Sequence, residues 1–131
     1  MPNTLFETLD IAAKTFVGLG RPNNEDAYQI IVPNGTINPT AIFLLADGMG
    51  GMGGGEIASR RALEQIVQSF YNPNADSDSL ARLKNALEQA NVDVRVNGTA
   101  EAGVAPIGTT AAGLVLPETG DLLVYNVGDC R

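Results

Sequence analysis

Six glycines and two methionines fill the eight positions from Gly48 to Gly55. Such a stretch has almost no side-chain volume and reaches positive φ freely, so its backbone is the surface it offers. The neighbours on either side narrow its use. The continuous apolar run Ala41–Ala46 leads into it, ending at Asp47, and suggests a strand covered on both faces. Directly after Gly55, Ile57, Ala58, Leu63, Ile66, Val67 and Phe70 fall on one helical stripe, with Arg60, Arg61, Glu64 and Gln68 elsewhere. A flexible linker does not join a strand to a helix so tightly, and the loop therefore belongs inside a folded unit.

The remaining pattern predicts elements on both sides of that unit. Asp10–Gly18 reads as a strand, and Gly18–Asp26 as a polar loop holding Arg21, Pro22, Asn23 and Asn24. Ala27–Val32 is apolar and β-branched, a second strand, and Pro33, Asn34 and Gly35 mark a turn. The glycine-led helix should stop near Asn72-Pro73. Leu80, Leu83, Leu87, Ala90 and Val94 predict a second helix, with Asp76 or Ser77 as N-cap. From Gly108 the period falls to two, Thr110, Ala112, Leu114 and Leu116 facing one way. Pro117–Asp121 then turns the chain into Leu122–Val127. Three strands, two helices and two strands do not alternate, which argues for an α+β fold with antiparallel sheet. Asn34-Gly-Thr36 and Asn97-Gly-Thr99 match a glycosylation triplet and read as turns.

Composition removes whole classes of function. The chain has no histidine, so a Ser-His-Asp triad, an HExxH zinc site and a phosphohistidine relay are closed to these residues. Cysteine-based phosphate chemistry needs a phosphate-binding loop after the thiol, and Cys130 is followed by Arg131. One cysteine builds no internal disulfide, which suits a reducing compartment and makes the cytoplasm the expected location. Eight Lys and Arg against 15 Asp and Glu give a formal charge of −7, no footprint for nucleic acid. No apolar run approaches the roughly 18 residues of a membrane span. At 131 residues a single domain is expected, large enough to bury a core without a stabilising metal.

The acidic residues sit where chemistry could use them. Glu25 and Asp26 precede one predicted strand, Asp47 follows another and Asp129 follows the last. If the hairpins gather those boundaries, the carboxylates repel one another unless a cation joins them. Hard oxygen donors without imidazole or thiolate favour Mg²⁺ or Mn²⁺ over Zn²⁺, and a dinuclear site is the natural form. The glycine loop carries a competing reading, since Gly48-Met-Gly-Gly-Met-Gly53 satisfies the dinucleotide pattern G-x-G-x-x-G. Asp47 beside a pyrophosphate and a helix followed by a helix count against it. No Lys-Ser or Lys-Thr pair follows the glycines, which removes a kinase-type phosphate loop.

Four segments in order resemble the motifs of a known family: Arg21-Pro-Asn-Asn-Glu-Asp26, Ala46-Asp-Gly-Met-Gly-Gly51 with Gly55-Glu-Ile-Ala-Ser59, Gly108-Thr-Thr110, and Val127-Gly-Asp-Cys-Arg131. They are similar to those of the metal-dependent protein phosphatases, the type 2C Ser/Thr phosphatases in their bacterial form. The resemblance implies an antiparallel β-sandwich flanked by helices. It also implies hydrolysis of phosphoserine and phosphothreonine on proteins by a water activated between two Mn²⁺ or Mg²⁺ ions. By position, Asp47 would bridge the two ions, Gly48 would add its carbonyl, and Asp129 would stand at a third, weaker ion. Glu25 and Asp26 would hold waters, and Arg21 would grip the substrate phosphate. Phosphorylated proteins, and a cognate Ser/Thr kinase that makes them, are the implied partners.

The chain also departs from the family pattern. Met52 stands where bacterial members commonly carry histidine, and Cys130 replaces a serine. Domains of that family run to roughly twice this length. The resemblance thus makes residues 1–131 the N-terminal part of one phosphatase catalytic domain, an incomplete sandwich with uncovered apolar surface. Such a piece is expected to hold divalent ions weakly and to be inactive alone. A non-catalytic regulatory or phosphoprotein-binding module of the same fold is the alternative.

Overall fold

The computed structural model describes residues 5–33, 39–117 and 119–130. After a short 3₁₀ turn at Leu5–Thr8, the chain builds β1 (Asp26–Ile31), β2 (Thr40–Met49), α1 (Gly54–Phe70) and α2 (Ser79–Asp93). A π-helical turn at Val94–Gly98 and the short α3 (Thr99–Ala102) follow, then β3 (Gly108–Thr109), β4 (Ala111–Pro117) and β5 (Leu123–Val127). The strands form one antiparallel sheet in the order β1-β2-β4-β5, with β3 pairing β2 beyond the end of β4. The antiparallel pairing of β2 with β4 removes the dinucleotide-binding alternative, which needs a parallel crossover. No helix among the described residues is long and apolar enough to cross a membrane.

The helices cover one face of the sheet. Ile42, Leu44 and Ala46 of β2, Ala111 and Val115 of β4 and Tyr125 of β5 meet Leu63, Ile66 and Phe70 of α1 and Leu83, Ala86 and Ala90 of α2. Phe70, Ile42, Ile66 and Val115 are completely buried. Phe70 also stacks edge-on against Tyr71 at 5.2 Å between centroids, with the Arg82 guanidinium 5.4 Å over its ring. Burial pushes the Tyr71 phenol up to about 12, and its hydroxyl donates to the Thr40 carbonyl at 2.7 Å. That bond fastens the C-terminal end of α1 to the start of β2.

The opposite face carries Tyr28, Phe43, Leu45, Leu114 and Val124, and much of it lies open. Tyr28, Leu45, Leu114 and Val124 are 38–72% exposed. The described residues thus supply one sheet and its helical layer, half of the layered arrangement that the family resemblance implies. The expectation that β2 would be covered on both faces is corrected: Ile42 and Leu44 are buried while Leu45 is open.

Other local expectations change. Asp10–Gly18 is not a strand: the segment is irregular, its Phe16 is 71% exposed, and no described strand pairs with it. It is tethered where Asn24 Nδ2 donates to Thr15 Oγ1 at 2.8 Å. The N-cap of α2 is Asp78, whose carboxylate accepts from the Ala81 N–H at 2.9 Å, in place of Asp76 or Ser77. Asn97-Gly-Thr99 is helical where a turn was expected. Asn34-Gly-Thr36 and Arg131 lie outside the described residues.

Candidate metal and phosphate site

Cross-strand partners in an antiparallel ladder project to the same face of the sheet. Asp26, the first residue of β1, is the direct partner of Asp47 on β2, and both share the parity of Tyr28 and Leu45. The two carboxylates therefore emerge side by side on the face that the helices leave open. Like charges directly opposite one another weaken a sheet, and the carboxyl of Asp26 responds to them. Its pKa is held above the usual carboxylate range, first by partial burial, then by the charge of Asp47, a hydrogen bond with the Asp47 side chain and the charge of Glu25.

Glu25 is brought in by the backbone. Its carbonyl accepts from the Gly48 N–H at 3.0 Å, which extends the β1–β2 contact by one bond. Asn24 then bends the incoming chain, its Oδ1 accepting the Asp26 N–H at 3.0 Å. Only glycine fits at position 48: a Cβ there would lie 1.9 Å from the Gly55 carbonyl oxygen and 2.8 Å from that of Glu25. A Cβ on Gly55 would likewise fall 2.7 Å from the Glu25 carboxyl carbon. The glycines let the first turn of α1 close onto β2 and onto the Glu25 side chain. Gly53, the N-cap of α1, has φ 82° and caps with backbone alone.

A cavity of about 400 Å³ opens at this junction, and Arg21, Glu25, Asp26, Asp47 and Gly48 all line it, with Phe16 and Val17 as its apolar wall. Arg21 and Glu25 also border a second hollow of about 260 Å³ shared with Gly50–Gly53. Five of the six residues singled out in the sequence thus meet in one place. The sixth, Asp129, lies exposed in the turn after β5 and does not line either cavity. Met52, with φ 55°, is 89% exposed on the rim of the smaller hollow.

The donor set fits a hard divalent cation in its chemistry: carboxylate and carbonyl oxygens with no nitrogen or sulfur. Among the described residues, no group of three or more His, Cys, Asp or Glu side chains is arranged to hold a metal ion. Thr110, singled out in the sequence only within the Gly108-Thr-Thr110 segment, is in contact with the site: its hydroxyl accepts the Asp47 N–H at 2.9 Å, while its own N–H donates to the Asp47 carbonyl at 3.0 Å. The only signal for it in the sequence is a hydroxyl residue in the Gly-Thr-Thr segment.

No protein-family model matches the chain. It is 29% identical over 123 residues to the serine/threonine protein phosphatase PstP of Mycobacterium tuberculosis, covering 94% of this chain and 22% of that protein. The crystal structure of the M. tuberculosis phosphatase PstP/Ppp superposes with a TM-score of 0.68 at 30% identity, over 90% of this chain and 46% of that one. The PstP catalytic domain in complex with two manganese ions gives 0.69, at 30% identity, over 90% and 47%. The PPM Ser-Thr phosphatase MsPP of Mycobacterium smegmatis, in complex with cacodylate, gives 0.62 at 30%, over 88% and 44%. The chain therefore spans about a fifth of the length of the curated relative and under half of each solved chain. In sequence and in fold, it is similar to part of these bacterial Ser/Thr phosphatases.

Proposed function

We propose that this chain contributes one half of a metal-dependent centre that hydrolyses phosphoserine and phosphothreonine on proteins. The observation that carries the reading is the Asp26–Asp47 pair, two carboxylates held opposite each other on an open sheet face, in a cavity that also holds an arginine. Folding alone gives no reason to keep that repulsion, and a divalent cation relieves it. The support from relatives is that one solved homologue carries two manganese ions.

Asp47 would present its carboxylate, and Gly48 its carbonyl, to Mn²⁺ or Mg²⁺. Asp129, on a separate turn, would serve a further ion. The bound cations would supply charge neutralisation on phosphorus and a more acidic water. Glu25 and Asp26 would accept hydrogen bonds from water in the cavity and so orient it. Arg21, exposed at the mouth, would pair its planar guanidinium with two phosphate oxygens and hold the phosphoryl group facing the carboxylates. Water would add to phosphorus as the serine or threonine oxygen departs with a proton, so no phosphoenzyme is required.

Because no group of three or more His, Cys, Asp or Glu side chains among the described residues is arranged to hold a metal ion, the 131-residue chain should hold cations weakly and turn over little by itself. The test is phosphate release from a phosphothreonine peptide in Mn²⁺, run on this chain and on the longest polypeptide its natural reading frame encodes. Release by the longer form, abolished by chelator and by Asp47→Ala, supports the reading. Binding of the phosphopeptide without release would favour the regulatory module, and release that survives Asp47→Ala would overturn the assignment of the centre.

A further inference from the structure

β2 pairs with β4 as far as Leu45–Ala112 and with β3 from Gly48–Thr109, and the two stretches keep one register. That register sets Asp47 opposite Thr110. A hydrogen-bonded antiparallel pair exchanges two main-chain bonds, but here only one is main-chain, from the Thr110 N–H to the Asp47 carbonyl at 3.0 Å. The return bond runs from the Asp47 N–H to the Thr110 hydroxyl at 2.9 Å. The Thr110 carbonyl meanwhile accepts from Thr109 Oγ1 at 2.9 Å. A side-chain oxygen has replaced its own carbonyl in the ladder at the residue whose carboxylate faces Asp26.

The replacement is held from the far side. Thr110 is only 7% exposed, and Cys130 Sγ lies 2.8 Å from its Oγ1. Gly128, with φ +107°, lets the turn after β5 close over the threonine, since a Cβ there would sit 2.8 Å from Thr110 Cγ2. Hydroxyl and methyl of Thr110 thus both have close neighbours, with the hydroxyl placed to accept the Asp47 N–H. A hydroxyl can accept the Asp47 N–H and still bond with the thiol, whereas valine at 110 can do neither.

We propose that Thr110 is a positioning residue for Asp47, its hydroxyl fixed by Cys130, and that this pair sets the aim of the Asp47 carboxylate at the cation. The inference rests on the proposed metal centre and adds residues that do not touch the ion. It is tested in the 131-residue chain by amide hydrogen exchange at Asp47 without metal, and by Mn²⁺ affinity from paramagnetic broadening of amide signals. Thr110→Val should deprotect the Asp47 amide and weaken Mn²⁺ about tenfold, the lower end for residues that support a metal ligand. Thr110→Ser should keep both near wild type, and Cys130→Ala should shift both in the direction of Thr110→Val, which carries the test if the valine variant does not fold. Unchanged Asp47 protection in Thr110→Val, or in Cys130→Ala where it stands in, overturns the clamp; deprotection with unchanged Mn²⁺ affinity overturns the positioning role. A wild-type chain without any Mn²⁺ response overturns the metal centre itself, and with it the positioning role, while leaving the exchange result to report on the clamp.

Discussion

Gly48→Ala puts the packing at the centre of the site under direct strain. The added Cβ would stand 1.9 Å from the Gly55 carbonyl oxygen, 2.6 Å from its carbon and 2.8 Å from the Glu25 carbonyl oxygen. Ordinary contact begins near 3.4 Å, so the first turn of α1 must retreat from β2 by about 1.5 Å. All three neighbours are backbone, and no rotamer change relieves the clash. Relieving the 2.8 Å contact with the Glu25 oxygen also stretches the 3.0 Å bond from the Gly48 N–H to Glu25. Overpacking of this kind costs about 3 kcal/mol, and the lost backbone bond adds about 1 kcal/mol. Urea unfolding followed by far-UV circular dichroism measures the loss, which should appear as a midpoint lower by roughly 2 M. Gly51→Ala is the control, because a Cβ there meets nothing within 4 Å and its φ is not positive; it should change stability by less than about 1 kcal/mol. A Gly48→Ala protein within about 1 kcal/mol of wild type, or a Gly51→Ala protein equally damaged, would refute the close approach of Glu25, β2 and α1.

Three further outcomes follow from the same geometry. In metal-free protein, Asp47→Asn should lower the Asp26 pKa, followed by NMR of its carboxyl carbon, because one raising charge is removed. The sign for stability is also set: a raised folded pKa means that the native state holds its proton longer, so stability declines as pH climbs through that range, and Asp47→Asn should flatten the decline. Asp93 has the opposite sign. The Arg61 guanidinium grips it through two bonds of 2.9 and 3.0 Å, which hold its carboxyl below the usual range. Asp93→Asn should cost about 1–2 kcal/mol at pH 7, a cost present above the unfolded Asp value of about 3.9 and fading as pH falls through the lower folded value. An Asp93→Asn penalty that stays constant into acid would contradict the pairing. Finally, Val115→Thr on the buried face should lose about 1–3 kcal/mol, while Val124→Thr, 72% exposed on the open face, should change stability by less than about 0.5 kcal/mol. Equal losses at the two positions would mean that the open face is covered.

Periodicity carried the strands and helices that have partners, and it failed where partnership decides. Ile57–Phe70 and Leu80–Val94 show their stripes because each packs against the same buried face of the sheet. Asp10–Gly18 has apolar residues in a strand-like arrangement, but a ladder needs a neighbour and none of the described strands provides it. For the cap of α2, Asp76, Ser77 and Asp78 are chemically equivalent candidates. Geometry selects Asp78, whose own N–H is anchored to Asp76 Oδ1 at 2.8 Å. Gly98 reads as a turn residue, yet it lies buried in a widened helical turn because a Cβ would meet Ile107 at 3.2 Å.

The site shows the same division. Acidic residues at strand boundaries are visible in a sequence, and five of the chosen positions do converge. Their opposition is not visible, because Asp26 faces Asp47 only through a register that long-range pairing sets. The Thr110 substitution in the ladder lies deeper still, in the difference between a side-chain and a main-chain oxygen.

The most direct measurement is a Mn²⁺ titration of isotopically labelled protein, read as the pattern of amide signals that broaden first. Broadening centred on residues 24–27 and 46–49, and removed by Asp47→Ala, is the expected result. Broadening that begins elsewhere, for example at the carboxylates of Asp76 and Asp78 before α2, and leaves Asp26 and Asp47 sharp would contradict the account.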